Sequence, residues 1–94
     1  MRIIWTKTSE FTLDEILNYI ESKFGKLISE KYFSDVIQTV DGIGIQPEMF
    51  PIYQKDTEIR KAVINKKSIL YYKISGDAIC LVAFYDVRMD IHKL

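Results

Sequence analysis

The sequence predicts an α+β domain in which a helical hairpin packs on a mainly antiparallel four-stranded sheet, with the element order β-α-α-β-β-β. In the first half of the chain, apolar residues recur at helical spacing through two adjacent segments. The second half changes to short apolar runs rich in β-branched and aromatic residues, separated by tight turns. Because 94 residues have room for one hydrophobic core, we expect a single domain over residues 1–94.

The first strand is predicted over residues 2–6, and the first helix over residues 13–24. Thr12 and Glu15 have the spacing of a capping box, in which Thr12 caps the helix and Glu15 reaches back to it. Gly25 is suited to end this helix, because glycine adopts the left-handed conformation without a Cβ clash. The apolar stripe of the helix consists of Leu13, Ile16, Leu17, Ile20 and Phe24.

A second helix is predicted directly after Gly25. It weakens at Gly42 and Gly44 and is over by Pro47. The short link makes the two helices an antiparallel hairpin. The apolar stripe of the second helix consists of Ile28, Tyr32, Phe33, Val36, Ile37 and Val40.

Three further strands are predicted after a proline-containing loop at residues 46–55. Short turns between these strands favour an antiparallel meander, which the first strand must cross both helices to join. The last strand reads AICLVAFY, and such an apolar run is typical of a central strand that is buried on both faces or covered by a partner. The three strands span residues 61–65, 68–74 and 78–85.

The balanced charge of the chain hides an asymmetry between its halves. Residues 1–50 contain five basic and eight acidic side chains, a difference of −3, whereas residues 51–94 contain eight and five, a difference of +3. The positive half suits a phosphate backbone or an acidic partner, and an ordinary solvated surface explains the bias equally well. The single cysteine, the lack of a long apolar run and the lack of a signal peptide favour a cytoplasmic protein without a membrane partner.

The pattern of polar residues contains no glycine-rich phosphate loop and no metal-ligand spacing, so we expect no metal and no small-molecule cofactor. Arg60 and Arg88 stand out, because each lies at the end of a predicted strand. A guanidinium there offers five fixed donors to a phosphate or a carboxylate. The two groups are expected to face outward on one exposed surface. Alternatively, they pair internally with carboxylates, for which the candidates are Asp56, Glu58, Asp86 and Asp90.

Residues 59–74 (IRKAVINKKSILYYKI) closely resemble the middle of RelE/ParE family toxins, in which an arginine opens one strand and a basic turn leads to an Ile-Leu-aromatic-Tyr strand. Residues 84–88 (FYDVR) resemble the last strand of the family, which closes on an arginine. The start of the chain and the loop at residues 47–51 are similar too. The resemblance spans nearly the whole chain, and it implies the toxin of a type II toxin–antitoxin (plasmid stabilisation) module, held inactive by a cognate antitoxin.

The family has two activities, and the resemblance leaves both open. ParE-like members inhibit DNA gyrase by binding, and this is the activity we expect here. RelE-like members are messenger RNA endoribonucleases that act on the ribosome, and for that reading Arg60 and Arg88 match the family positions for charge stabilisation. Lys67 would assist them, and His92 would take the place of the tyrosine that often follows the final arginine. In a third reading, the chain is a degenerate member that only binds its antitoxin.

Overall fold

The computed structural model describes residues 1–90 and confirms the predicted α+β class, with a helical hairpin on one face of a mostly antiparallel sheet. His92 lies outside the described residues. The elements, in chain order, are β1 (Arg2–Trp5), α1 (Lys7–Phe24), α2 (Lys26–Ile45), β2 (Ile52–Gln54), β3 (Ile59–Ile64), β4 (Ser68–Ser75), β5 (Ala78–Asp86) and a short α3 (Val87–Asp90).

The first helix begins at Lys7, and its N-cap is Thr6, so the predicted capping box at Thr12 is wrong. The Thr6 hydroxyl accepts a hydrogen bond from the Ser9 amide at 3.0 Å and donates one to the Leu81 carbonyl at 2.7 Å. Thr12 lies inside α1, and its hydroxyl accepts a hydrogen bond from the Phe84 amide at 2.9 Å. Both threonines thus bond to β5. The bond from Thr6 to Leu81 holds Thr6 in place as the N-cap, so α1 begins directly after it.

The two long helices meet at Gly25, as predicted. Gly25 has a φ of +94°, which lies in the region that glycine adopts at no steric cost. Its amide donates to the Glu21 carbonyl and closes α1, while its own carbonyl accepts from the Ser29 amide and opens α2. The single-residue link therefore fixes the hairpin.

The sheet has the strand order β1-β5-β4-β3-β2, with β1 parallel to β5 and the other pairs antiparallel. The apolar strand β5 is interior, as its composition predicts. The sheet has one strand more than predicted, because Ile52 and Gln54 pair with Arg60 and Ile59 within the segment expected to be a loop. The sequence missed β2, since three residues directly after a proline are too few to show alternation.

The core lies between the hairpin and the sheet. Trp5 is partly buried against this core and stacks on Phe84 with 6.0 Å between ring centroids. Along β3 and β4 the buried residues alternate, so one face of each strand meets the helices and the other points away. The largest fully buried side chains are those of Ile20, Val36, Ile43, Leu70, Tyr72, Ile79 and Leu81.

Candidate functional site

Arg60 lies on the helix-facing side of β3, paired in register with the buried Tyr72 of β4. Its Nη1 donates to the Phe50 carbonyl at 2.7 Å, and its Nη2 lies 3.9 Å from the Glu48 carboxylate. The Tyr72 hydroxyl donates to the Pro47 carbonyl at 2.6 Å. Arg60 and Tyr72 therefore hold the segment between α2 and β2 against the sheet.

Arg88 follows β5 and forms an internal ion pair with Asp86. Its Nε and Nη2 donate to the two carboxylate oxygens of Asp86 at 2.9 and 2.7 Å, and the side chain of Asp86 is 0% exposed. These hydrogen bonds raise the pKa of the Arg88 guanidinium above its usual value, against the opposing effect of burial. The central carbon of the Arg88 guanidinium lies over the Phe24 ring, 5.9 Å from its centroid.

The two arginines do not share one outward-facing surface, contrary to the expectation from the sequence. Arg60 is level with Tyr72 on β4, whereas Asp86 is level with Ser68, four residues away on the same strand. This separates them by about 13 Å along the strand direction, and β4 lies between them. The alternative of an internal pair with a carboxylate is correct for Arg88, whose partner is Asp86. Arg60 instead donates to the Phe50 carbonyl and lies near the exposed Glu48, which was not among the carboxylates considered.

Lys67 and Arg88 do come together, in a cleft of about 290 Å³ at one end of the sheet. The cleft lies between α2 and the β3–β4 turn. Besides Lys67 and Arg88, the cleft is lined by residues that the sequence analysis did not identify as site residues. The cleft is lined by Ile20, Ile28, Lys31, Tyr32, Asp35, Asn65, Lys67 and Arg88.

One residue of the cleft lining, Tyr32, has a buried hydroxyl that stays protonated at neutral pH. The Tyr32 hydroxyl shares a hydrogen bond with the buried Ser68 hydroxyl. Burial raises the pKa of Tyr32 to about 12, and the bond to Ser68 opposes part of that rise. Sequence reasoning placed Tyr32 on the apolar stripe of the second helix, which is correct for its ring.

The β3–β4 turn positions the rim of the cleft. Asn65 and Lys66 have φ values of +54° and +64°, and the Lys67 amide donates to the Ile64 carbonyl at 3.3 Å, as in a type I′ turn. The Asn65 amide group donates to the Asp35 carboxylate, which also lies 3.6 Å from the Lys31 ammonium. The left-handed backbone conformation of Asn65 and Lys66 thus brings Lys67 opposite α2.

The hairpin has a surface groove of its own, in two depressions that share Asp14 and Phe33. Apolar side chains of both helices form its floor, and Phe33 is 43% exposed. Every titratable side chain that lines the groove is acidic, namely Glu10, Asp14, Glu21 and Glu30.

Residues 1–90 contain no group of three or more His, Cys, Asp or Glu side chains placed to hold a metal ion. Within the same residues, no helix combines the length and the apolar character that crossing a membrane requires.

The sequence matches no family model, and the curated proteins include none similar enough to count as a relative. Among solved structures, a chain of the "Chromosomal ParDE TA system from P. aeruginosa" matches with a TM-score of 0.79 and 16% sequence identity. The match covers 93% of this chain and 96% of that chain. At this identity the likeness concerns the fold alone, and this chain has the RelE/ParE-like fold.

Proposed function

We propose that the chain is the toxin of a type II toxin–antitoxin pair, that it inhibits DNA gyrase by binding, and that a cognate antitoxin neutralises it. The observation that carries this proposal is the fold, which matches a chain of a ParDE system over nearly the full length of both chains. The resemblance of residues 59–74 and 84–88 to the family supports it independently.

The arginine geometry favours binding over RNA cleavage. Cleavage by the 2′-hydroxyl builds up negative charge on the phosphorus centre, and cations that converge on one point must stabilise it. Arg60 and Arg88 are both engaged by internal acceptors, and they lie at different levels of the sheet. A phosphate would have to compete with Asp86 for Arg88, and Arg60 would not reach the same phosphate.

The surface favours a partner that folds onto the chain. Large apolar side chains are exposed on the hairpin and on the sheet, among them Phe11, Phe24, Leu27, Val63 and Tyr53. Exposed apolar surface of this kind marks interaction sites. A disordered antitoxin tail that orders on binding can cover such separate patches with one segment.

The RelE-like ribonuclease is the second candidate, and one observation favours it. Lys67 and Arg88 line the same cleft as Lys31 and Tyr32, and the Tyr32 hydroxyl is protonated. This places cations near a group that can give a proton to a leaving oxygen. In this reading His92 remains the candidate for the second proton-transfer group.

Controlled expression separates the candidates. For the proposed function we expect growth arrest, inhibition of supercoiling by purified gyrase, intact messenger RNA, and recovery when the adjacent reading frame supplies an antitoxin. Arrest with cleaved messages in a translating extract would establish the ribonuclease instead. Strong expression without arrest, together with tight antitoxin binding, would identify a degenerate member and overturn both activities.

A further inference from the structure

The groove on the helical hairpin is open to solvent along the seam between α1 and α2. Its two depressions have volumes of about 580 and about 430 Å³, and they share Asp14 and Phe33. On α1 the lining residues run from Glu10 to Glu21, which is about 16 Å of helix at the usual rise per residue. The groove therefore has the length of about three helical turns.

The floor of the groove is apolar and already ordered. Leu17 and Ile37 are partly buried, whereas the Phe33 ring, which both depressions share, is 43% exposed. The Ser29 hydroxyl donates to the Leu17 carbonyl at 3.2 Å, so this polar group of the floor is satisfied within the hairpin. An exposed aromatic ring in a preformed groove is the kind of anchor that dominates binding energy at protein interfaces.

The charge around the groove is of one sign. The exposed carboxylates of Glu10, Asp14, Glu21 and Glu30 line it, and within residues 1–90 none of the four forms an ion pair. The two long helices together contain four lysines and seven carboxylates, a difference of −3. A partner with positive charge beside its apolar contact therefore matches the groove.

The shape and charge of the groove favour a helix as its occupant. The backbone groups of α1 and α2 are bonded within the helices, so the groove has no free ladder groups for an added strand. A third helix satisfies its own backbone groups and can pack its apolar ridge into the seam between two others. Nucleic acid is disfavoured, because the carboxylates would repel its phosphates.

The proposed target has surfaces of the matching chemistry. An enzyme that acts on DNA must hold the phosphate backbone, and it does so with clustered lysine and arginine side chains. Basic helices are therefore expected on the surface of gyrase. The groove complements such a helix in charge and has an apolar floor for its other side.

We propose that the hairpin groove binds an amphipathic helix of DNA gyrase that has an apolar stripe and basic flanks. This inference rests on the proposed function for the identity of the partner, and on the groove itself for the chemistry of the helix. The apolar stripe would cover Phe33 and Leu17. The basic flanks would lie next to Asp14 and Glu21 on one side and Glu30 on the other.

Truncation of the aromatic anchor tests the apolar contact. Phe33→Ala should raise the Kd for purified gyrase by about tenfold or more, as expected for an anchor at the centre of an interface. Ile45→Ala is the matched control, because Ile45 belongs to the same helix, is 86% exposed and lies outside the groove. The control should leave the Kd unchanged. Biolayer interferometry on immobilised gyrase measures the Kd, and circular dichroism melting reports whether each variant is folded.

Charge reversal tests the rim. The double variant Asp14→Lys, Glu21→Lys should raise the Kd by about tenfold or more at low salt, and the difference from the wild type should shrink as the salt concentration rises. The double variant Asp56→Lys, Glu58→Lys makes the same charge change at exposed positions between β2 and β3, and its Kd should stay close to that of the wild type. Inhibition of supercoiling by each variant should follow its Kd.

The outcomes separate this inference from the proposed function. Inhibition of gyrase by the wild type, with equal Kd for the groove variants and their controls, overturns the inference and leaves the proposed function standing. A wild-type chain that neither binds nor inhibits gyrase overturns both. Groove variants that inhibit gyrase normally but lose the antitoxin would assign the groove to the antitoxin. Self-association of the chain that Phe33→Ala abolishes, with inhibition intact, would assign it to a second copy.

Discussion

The carboxylate of Asp86 accepts three hydrogen bonds from Arg88: from its amide at 2.9 Å, from Nε at 2.9 Å and from Nη2 at 2.7 Å. Arg88 thus satisfies a fully buried carboxylate from the second position of the short helix α3. In a nuclease, the guanidinium would have to be available to a phosphate. Here the Nε and Nη2 donors are already used inside the fold.

Arg88→Ala should therefore destabilise the protein. Removal of the side chain leaves the Asp86 carboxylate buried with one remaining donor, at an expected cost of about 3 kcal/mol in the free energy of unfolding. Urea denaturation followed by circular dichroism measures this cost. Arg88→Lys keeps the positive charge and loses the paired hydrogen bonds from Nε and Nη2, so its stability should lie between those of the wild type and Arg88→Ala. A midpoint equal to that of the wild type for Arg88→Ala would mean that the ion pair contributes nothing.

Stability should fall between pH 10 and pH 12 because of Tyr32. Its pKa is raised from 10.0 to about 12 in the folded protein, so in this range the folded chain holds a proton that the unfolded chain has lost. The contribution of the protonated Tyr32 to the free energy of unfolding is complete below pH 10. It disappears as the pH rises toward 12, at a loss of about 2–3 kcal/mol. Tyr32→Phe should show a smaller decline over the same range. Equal slopes for the two proteins would contradict the assignment.

Phe84→Ala should cost about 3–5 kcal/mol. Phe84 is 4% exposed and stacks on Trp5, so its removal leaves a cavity beside the only tryptophan. Chemical denaturation monitored by Trp5 fluorescence measures the loss. Phe11→Ala is the matched control, because Phe11 is 63% exposed and its truncation should change stability by less than about 0.5 kcal/mol. A fully stable Phe84→Ala variant would show that the packing between β1 and β5 is misjudged.

Thr6→Ala should cost about 1–2 kcal/mol, because it removes the N-cap of α1 together with the bond to Leu81. Thr8→Ala, in the exposed first turn of the same helix, should have little effect. The comparison tests the position of the cap directly. Similar unfolding midpoints for the two variants would show that the helix does not depend on Thr6.

The double variant Lys31→Ala, Lys67→Ala separates the two candidate activities. Both lysines are exposed at the rim of the cleft, so the fold should tolerate the change. A gyrase inhibitor that does not use this cleft should still arrest growth and block supercoiling. A ribonuclease should lose most of its cleavage of messenger RNA in a translating extract. The readouts are growth after induction and the integrity of messages.

The sequence was sufficient for those elements whose pattern is long and local. The hairpin follows from two apolar stripes joined at Gly25, and the interior position of β5 follows from its apolar run. The fold class followed from the order of these patterns. The helices were predicted from periodicity over many residues and β5 from a continuous apolar run, and both signals are long enough to be seen in a single sequence.

The sequence was insufficient where a tertiary contact decides between equal local choices. Thr6 and Thr12 are both acceptable caps, and the bond to Leu81 selects Thr6. The two arginines at strand ends could face outward or pair internally, and only the position of Asp86 on the buried side of β5 decides for Arg88. The cleft lining could not be predicted either, because Asp35 and Asn65, which bond to each other across it, are far apart in the sequence.

The parallel pairing of Arg2–Trp5 with residues 78–81 has a consequence for the speed of folding. Because this contact joins segments far apart in sequence, it raises the contact order and slows the search for the native topology. The hairpin can form early from local interactions, while the outer edge of β5 stays unpaired until β1 joins it. During that interval the AICLVAFY strand is open to pairing with other chains, so refolding at high protein concentration should aggregate before it completes.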